Sequence, residues 1–129
     1  MINLTAHSVS IYKELYAWKL TAIVNTDADD STTDKSSISK YDSFYVHFDL
    51  QGGTPNEKIR IKYHIKYPNG EIKSSTWDND YVSGGLGDWP WEGGIYENPA
   101  FGVSGTLKAK FYNAKTGELI GEKSFKITG

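Results

Sequence analysis

The chain has 129 residues, of which 38% are hydrophobic and 23% charged, and it contains no cysteine. This length suits one globular domain that buries roughly two-thirds of its unfolded surface, so stability requires neither a disulfide nor a metal. The absence of cysteine excludes zinc ribbons, disulfide scaffolds and thiol nucleophiles. No apolar run approaches the ~20 residues of a membrane span, and the amino-terminal sequence does not follow a signal-peptide pattern. We therefore predict one soluble domain over residues 1–129, without membrane insertion.

The basic residues argue against nucleic-acid binding. The formal net charge is −2, from 14 basic and 16 acidic residues, and Arg60 is the single arginine. Arginine supplies the planar fork that grips phosphates and guanine edges, so its near absence disfavours a nucleic-acid partner. Lys58, Lys62 and Lys66 alternate with apolar residues along one predicted strand. This pattern is typical of the wet face of a sheet, and we see no lysine cluster that would replace the missing arginines.

The alternation of apolar and polar residues predicts about seven β-strands. The first covers residues 2–12, where the apolar phase slips and indicates a bulge. Residues 16–24 are apolar on both phases, as in a central strand, and residues 44–50 alternate with a period of two. Residues 27–39 are polar and rich in Ser, Thr and Asp, so they predict an irregular, mobile loop.

Two hairpins are predicted in the rest of the chain. Residues 59–67 alternate between apolar and basic side chains and lead into Pro68-Asn69-Gly70, after which residues 71–77 should return antiparallel. Near the carboxyl terminus, residues 103–112 and 119–127 flank an Asn-Ala-Lys-Thr-Gly turn. Successive short strands without intervening helices predict an antiparallel sandwich or barrel.

The two hairpins carry a family resemblance. The stretches IRIKYHIKYPNGEI and GTLKAKFYNAKTGELIGEKSFKITG, over residues 59–72 and 105–127, resemble bacterial immunoglobulin-like modules. The resemblance implies an all-β fold, a single antiparallel immunoglobulin-like β-sandwich of about seven strands. The chain departs from antibody-type domains because it has no cysteines and because Leu107 stands about where a tyrosine is expected. The resemblance implies little about activity, since this fold carries many functions.

The segment over residues 78–101 is the predicted contact surface. It holds five of the thirteen glycines and two of the four tryptophans, and a connection of this length without secondary structure is often functional. Its rigid aromatic rings suit stacking on sugars or capping a hydrophobic surface, and its carboxylates can accept hydrogen bonds from sugar hydroxyls. The predicted ligand-binding residues are Tyr81, Asp88, Trp89, Trp91 and Tyr96. The alternative is that one or both tryptophans fold back and plug an open end of the sandwich.

A calcium site fails on the details of the sequence. The segment Asp27-Ala28-Asp29-Asp30-Ser31 matches the start of an EF-type loop, in which carboxylates and carbonyls bind the cation. However, Thr32 occupies the position that requires glycine, and Ile38 occupies the position of the bidentate glutamate. We predict a solvated polar loop and no metal site.

A catalytic site has equally little support. His7, His47 and His64 all lie on predicted strands, and Asp49 shares a sheet face with His47. These groups could bind zinc or relay a proton if the strands were neighbours. They occupy the polar phase of amphipathic strands, which predicts solvated surface residues, and no nucleophile elbow, zinc-protease helix or phosphate loop is present. We predict no catalytic residue and no cofactor, so the chain is not expected to be an enzyme.

The leading hypothesis is a non-catalytic immunoglobulin-like module of a larger bacterial protein at the cell surface or outside the cell. The tightly cut termini are consistent with a module taken from a longer chain. The module would bind a protein partner through the 78–101 loop or act as a structural spacer. The alternative is a carbohydrate-binding module that stacks glycans on the loop aromatics, and a third hypothesis is an enzyme that uses His47, Asp49 and His64. The sequence leaves the ligand and the oligomeric state open.

Overall fold

The computed structural model describes residues 15–77, 80–87, 90–98 and 104–129. The predicted first strand, over residues 2–12, lies outside these ranges. The described residues form the following strands: β1 Lys19–Asn25, β2 Ser37–Ser39, β3 Phe44–Gln51, β4 Lys58–Ile59, β5 Ile61–Lys66, β6 Ile72–Thr76, β7 Tyr81–Val82, β8 Trp91–Glu97, β9 Gly105–Asn113 and β10 Leu119–Thr128. Within these ranges we find no helix long and apolar enough to span a membrane.

Two main sheets face each other across one core. A three-stranded sheet has the order β1-β3-β8, and a five-stranded sheet has the order β2-β10-β9-β5-β6. Strands β4 and β7 form a small separate pair. Every pairing is antiparallel apart from that of β2 with β10. The predicted all-β class is therefore confirmed, and seven of the described strands have five or more residues.

The period of two in the sequence builds the core. Along β3, Phe44, Val46, Phe48 and Leu50 are at most 2% exposed. Strand β9 buries its alternate apolar side chains from the opposite sheet, and both sets belong to one hydrophobic cluster. Each large side chain that leaves water on folding contributes roughly 1.5–3 kcal/mol, which is how this core holds the two sheets together without a disulfide.

Both predicted hairpins are confirmed. Strands β5 and β6 pair through the turn at Gly70, whose φ of 90° favours glycine and whose N–H donates to the Tyr67 carbonyl over 2.9 Å. Strands β9 and β10 pair through the turn at Gly117, with φ of 78° and a 2.7 Å hydrogen bond to the Asn113 carbonyl.

Two segments predicted as irregular contain strands. Within the 78–101 segment, β8 pairs with β3 over seven residues, from the Phe44↔Glu97 pair to the Leu50↔Trp91 pair. Gly93 and Gly94 have no side chains, so they hide the alternation of inward and outward residues in β8. The inward side is marked only by Trp91, Ile95 and Glu97, and a glutamate is unusual at an inward position. The polar segment over residues 27–39 likewise ends in β2, which pairs with β10. The predicted strand over residues 59–67 divides at Arg60 into β4 and β5.

A buried carboxylate connects the two sheets near one edge. Glu97 of β8 is 3% exposed, and its oxygens accept hydrogen bonds from the Tyr67 hydroxyl and the Lys73 ammonium, both at 2.8 Å. Tyr67 and Lys73 lie at the β5–β6 hairpin of the five-stranded sheet. Burial and the bond to Glu97 raise the pKa of Tyr67, and the same carboxylate raises the pKa of Lys73 through its hydrogen bond. The charge on Glu97 is therefore paired inside the fold, as buried charges require.

The packing of Phe48 depends on a glycine in the neighbouring strand. The Phe48 ring contacts the rings of Trp77, Trp91 and Phe111, with centroid distances of 5.0, 5.7 and 5.6 Å. Gly93 lies directly opposite Phe48, and a Cβ atom at Gly93 would overlap the Phe48 ring. The missing side chain therefore creates the space that the ring occupies.

We expect Gly93→Ala to lower the free energy of unfolding by about 1–3 kcal/mol, because the enclosed Phe48 ring cannot move without displacing other rings. Urea denaturation measures the change. Gly94→Ala is the matched control, since its Cβ would meet its nearest neighbour, the Val46 carbonyl oxygen, at an ordinary 3.7 Å. The control should be neutral or stabilising by at most about 1 kcal/mol. Equal losses from both substitutions would contradict this account of the Phe48 packing.

Candidate functional site

The predicted ligand-binding residues separate into an inward and an outward group. Asp88 and Trp89 lie outside the described residues. Trp91 is half-buried, packs edge-on against Phe48 and stacks on Tyr81 with a centroid distance of 5.4 Å and an interplanar angle of 26°. Tyr81 is half-buried and in turn meets Trp18 edge-on at 5.9 Å. The inward packing of Trp91 matches the alternative in which a tryptophan folds back onto the sandwich.

A carboxylate extends this inward aromatic group. The Trp18 indole N–H donates to Glu57, which also accepts from the backbone N–H and the hydroxyl of Thr54 at 3.2 and 3.1 Å. Burial alone would raise the pKa of Glu57, but the bonds from Thr54 and Trp18 outweigh it and hold the pKa below its ordinary value of 4.5. Glu57 is thus ionised and structurally engaged near neutral pH.

Tyr96 points outward and belongs to a different surface. It is 52% exposed on the outer side of β8, directly opposite Tyr45 of β3. The two rings lie 5.1 Å apart at a tilt of 51°, and the Tyr96 hydroxyl donates to Ser43 Oγ over 3.1 Å. No local pattern in the sequence marks Tyr45 as a contact residue, because its place beside Tyr96 depends on the pairing of β3 with β8.

These tyrosines form one end of an open cavity of about 460 Å³ on the outer side of the three-stranded sheet, which we call the tyrosine groove. The sheet strands form its floor, and the loop after β1 forms one wall. Its lining includes Tyr45, His47 and Asp49 of β3, Glu92 and Tyr96 of β8, and Asp29 of the loop.

The other end of the tyrosine groove is acidic. Asp49 lies directly opposite Glu92, and Asp29 lines the same cavity. Like charges that face each other across a strand pair are destabilising. Neither Asp49 nor Glu92 takes part in the side-chain hydrogen bonds and ion pairs found among the described residues. Lysine and arginine are likewise absent from the described lining of this cavity.

Gly94 keeps the floor of the tyrosine groove low. It lies between Glu92 and Tyr96 on the outer side of β8, opposite His47. Because Gly94 has no side chain, the space between the tyrosine end and the acidic end stays open. Tyr45 and Asp49 are four residues apart on one strand, which separates the two ends by about 13 Å.

His47 is buried, so its prediction as a solvated residue is wrong. It is 8% exposed, and its Nε2 lies 2.9 Å from Asn25 Oδ1 and 3.0 Å from the Asp27 carbonyl oxygen. The loop after β1 folds over the ring, and the Asn25 amide holds that loop through the carbonyls of Asp30 and Thr33. His47 therefore anchors one wall of the tyrosine groove.

The three groups of the enzyme hypothesis do not come together. His47 and Asp49 share the outer face of β3, but His64 lies on β5 in the other sheet. His64 contacts Ser74 Oγ at 2.8 Å and the Tyr112 ring at 5.2 Å. Because strands β3 and β5 are not neighbours, these side chains cannot form one relay or one metal site.

The acidic loop uses its carboxylates on its own backbone. Asp30 accepts hydrogen bonds from the backbone N–H groups of Thr32 and Thr33 and from the Thr32 hydroxyl. Hydrogen bonds from the Thr33 side chain and from Thr32 lower the pKa of Asp30. Asp34 accepts from the Val24 N–H and the Lys123 ammonium, which lower its pKa against the opposing effect of burial. The part of the chain that the structure describes holds no group of three or more potential metal ligands.

The outer side of the five-stranded sheet has the opposite charge. Lysines from three adjacent strands form what we call the lysine face: Lys62 and Lys66 of β5, Lys108 and Lys110 of β9, and Lys126 of β10. Lys66 lies directly opposite Lys108. None of the ion pairs among the described residues involves these side chains. The sequence indicated no lysine cluster, and this is wrong because the pairing of β5 with β9 brings distant lysines together.

Comparison with known proteins establishes a likeness of fold only. No protein-family model matches the chain, and no curated protein resembles it in sequence. A structure of the Pseudomonas fluorescens alkylpurine DNA glycosylase AlkC bound to DNA with an abasic-site analogue matches 95% of this chain at 13% identity and a TM-score of 0.55. A structure of β-glucosidase 3B from Thermotoga neapolitana with glycerol matches 88% at 12% identity and a TM-score of 0.51.

The chain spans 36% of the glycosylase chain and 16% of the glucosidase chain. A structure described as an immunoglobulin-like protein, PA1606 from Pseudomonas aeruginosa, matches 88% of this chain and 98% of its own at 13% identity and a TM-score of 0.49. The activities of such proteins do not transfer at this identity, because one fold carries many functions.

We expect the stabilising effect of Glu57 to depend on pH. Because its pKa is lower in the folded state, its contribution is fully present above the unfolded value of 4.5 and is lost as the pH falls through the folded value. Glu57→Gln should therefore reduce the free energy of unfolding most at neutral pH and least near pH 3. Denaturant unfolding of both proteins across this range measures the difference. A difference that does not vary with pH would contradict this, and Glu118→Gln, at an exposed turn, is the control.

Proposed function

We propose that this chain is a non-catalytic immunoglobulin-like module of a larger bacterial surface or secreted protein, and that it acts by binding a protein partner. The observation that carries the proposal is the tyrosine groove, where the exposed Tyr96 ring and the half-buried Tyr45 ring share one open cavity with carboxylates that have no ion-pair partner among the described residues. Tyr96 keeps its predicted role as a contact residue. The contact surface is then the outer side of the three-stranded sheet, of which β8 within the 78–101 segment forms one strand.

The charges of the tyrosine groove favour a basic segment of the partner. The facing carboxylates of Asp49 and Glu92 repel each other, and a lysine or arginine placed between them removes that repulsion. The Tyr45 and Tyr96 rings offer apolar surface to the aliphatic part of such a side chain and can also attract its charge. Both sets of contacts are outward and available without rearranging the core.

We expect a short oligolysine peptide to bind at low salt and an oligoglutamate peptide of equal length not to bind. Asp49→Asn combined with Glu92→Gln should weaken the oligolysine affinity at least about tenfold, or about 1.4 kcal/mol. Isothermal titration calorimetry measures the affinity, and shifts of the Gly94 amide signal in NMR spectra report whether the peptide lies in the groove.

Asp42→Asn combined with Glu118→Gln is the matched control. It removes the same charge from exposed carboxylates outside the tyrosine groove, so oligolysine binding should change little. An equal loss of affinity in this control would mean that peptide binding depends only on the net charge of the protein. That result, or the absence of oligolysine binding, would contradict the proposed function.

Carbohydrate binding is the second candidate, and the exposed Tyr96 ring favours it. An aromatic ring beside the open floor at Gly94 can stack on a sugar, and the groove carboxylates can accept hydrogen bonds from hydroxyl groups. We expect this activity to appear as binding to a neutral glycan array that Tyr96→Ala abolishes and high salt leaves unchanged. Insensitivity to salt separates it from the binding of a basic segment.

A further inference from the structure

The two outer sheet faces of this module carry complementary charges. The tyrosine groove presents Asp29, Asp49 and Glu92, whereas the lysine face presents five lysines on the opposite side of the same sandwich. Each face contains a directly opposed pair of like charges, Asp49 with Glu92 on one and Lys66 with Lys108 on the other. Each pair costs stability in an isolated molecule.

We propose that the partner of the tyrosine groove is the lysine face of a second copy of this module, so that copies stack face to face. This inference rests on the proposed function and names its partner. Stacking places the lysines of one copy over the carboxylates of the next and relieves both repulsive pairs at once. The two faces are different surfaces, so the contact is heterologous and leaves a free groove at one end and a free lysine face at the other.

The side chains around the charges suit such a contact. On the lysine face, Tyr112 and the exposed Ile72 border a shallow cavity of about 510 Å³ whose described lining contains no acidic residue. On the other face, Tyr45 and Tyr96 supply aromatic surface at the end of the groove. Among the described strand residues, two charges have the unfavourable sign: Glu122, opposite Lys110, on the lysine face, and Lys19, at the end of β1, on the other face.

The size of the contact predicts weak association. The three-stranded sheet is about 14 Å wide and about 23 Å long, so the interface falls below the ~1,200 Å² of stable protein complexes. Association through so small and charged a surface should be evident only at high protein concentration and low salt. The association becomes tighter when several modules lie in one chain, because linking the sites raises their effective concentration.

The test is a charge exchange between two variants. Asp49→Lys with Glu92→Lys makes both faces basic. Lys66→Glu with Lys108→Glu puts an acidic pair at the centre of the lysine face and removes its net positive charge, because Glu122 and the two new carboxylates then balance Lys62, Lys110 and Lys126. Each variant keeps a like-charged pair at the altered position, so the cross-strand repulsion is conserved and no large loss of stability is expected. Circular dichroism and thermal unfolding check that each variant is folded.

Sedimentation velocity and small-angle scattering, at protein concentrations up to about 1 mM, measure the association. The wild type should form species larger than a monomer in about 0.01 M salt and return to the monomer in about 1 M salt, where the screening length is only ~3 Å. Each variant alone should be monomeric in both conditions. An equimolar mixture of the two should associate again, because each then meets a face of opposite charge.

Matched controls carry the same charge changes outside both faces. These are Asp42→Lys with Glu118→Lys and Lys58→Glu with Lys115→Glu, all at exposed positions. Their apparent Kd should stay within about threefold of the wild-type value, because substitutions at distant, independent sites change affinity little.

Several results would overturn the stacking. They are a wild type that is monomeric at low salt, variants that associate as well as the wild type, and a mixture that stays monomeric. If the stacking fails while oligolysine still binds the tyrosine groove, the proposed function stands with a different basic partner. If neither the peptide nor the second copy binds, both fail.

Discussion

The contact between the Phe48 ring and the backbone of Gly93 is the constraint on which the rest of the structure depends. It leaves room for the Phe48 ring beside the paired strands β3 and β8 and lets that ring reach Trp77, Trp91 and Phe111, so the packing extends from the three-stranded sheet to the five-stranded sheet. A chain without cysteine has to connect its sheets by burial alone, and large aromatic side chains supply much contact area per residue. The same pairing sets the register that turns Tyr96 and Glu92 outward beside Tyr45 and Asp49.

The aromatic residues therefore divide between the core and the outer surface of the sheet. Trp91, Tyr81 and Trp18 form a row of ring contacts that packs against the core, and Glu57 accepts a hydrogen bond from the Trp18 indole N–H at the end of that row. Tyr45 and Tyr96 lie on the other side of the same sheet and face solvent. An aromatic ring in a strand serves the core or the surface according to its phase, so residues five positions apart in β8 have opposite roles. The residues of the proposed contact surface are those in the outward phase.

The charged residues also divide between the interior and the outer faces of the sheets. The inward carboxylate, Glu97, is paired with Tyr67 and Lys73, whereas the outward carboxylates of the tyrosine groove and the outward lysines of the opposite sheet lack ion-pair partners within the described part of the chain. Buried charge has to be compensated inside the fold, and exposed like charges can be compensated by a ligand. Fold likeness to a DNA glycosylase and a glucosidase adds nothing to this, because such likeness is compatible with unrelated sites.

The sequence by itself determined the all-β class, both hairpins, the inward residues of β3, and the absence of cysteine chemistry, because a period of two and turn residues such as Gly70 act locally. It could not reveal β8, since Gly93 and Gly94 carry no side chain to mark a phase. It could not reveal the burial of His47, which depends on a loop folding over β3. Only the tertiary structure decided that Asp49 faces Glu92 and that Lys66 faces Lys108. The physical reason is that strand pairing joins residues about 40 positions apart, and no local pattern encodes which strands become neighbours.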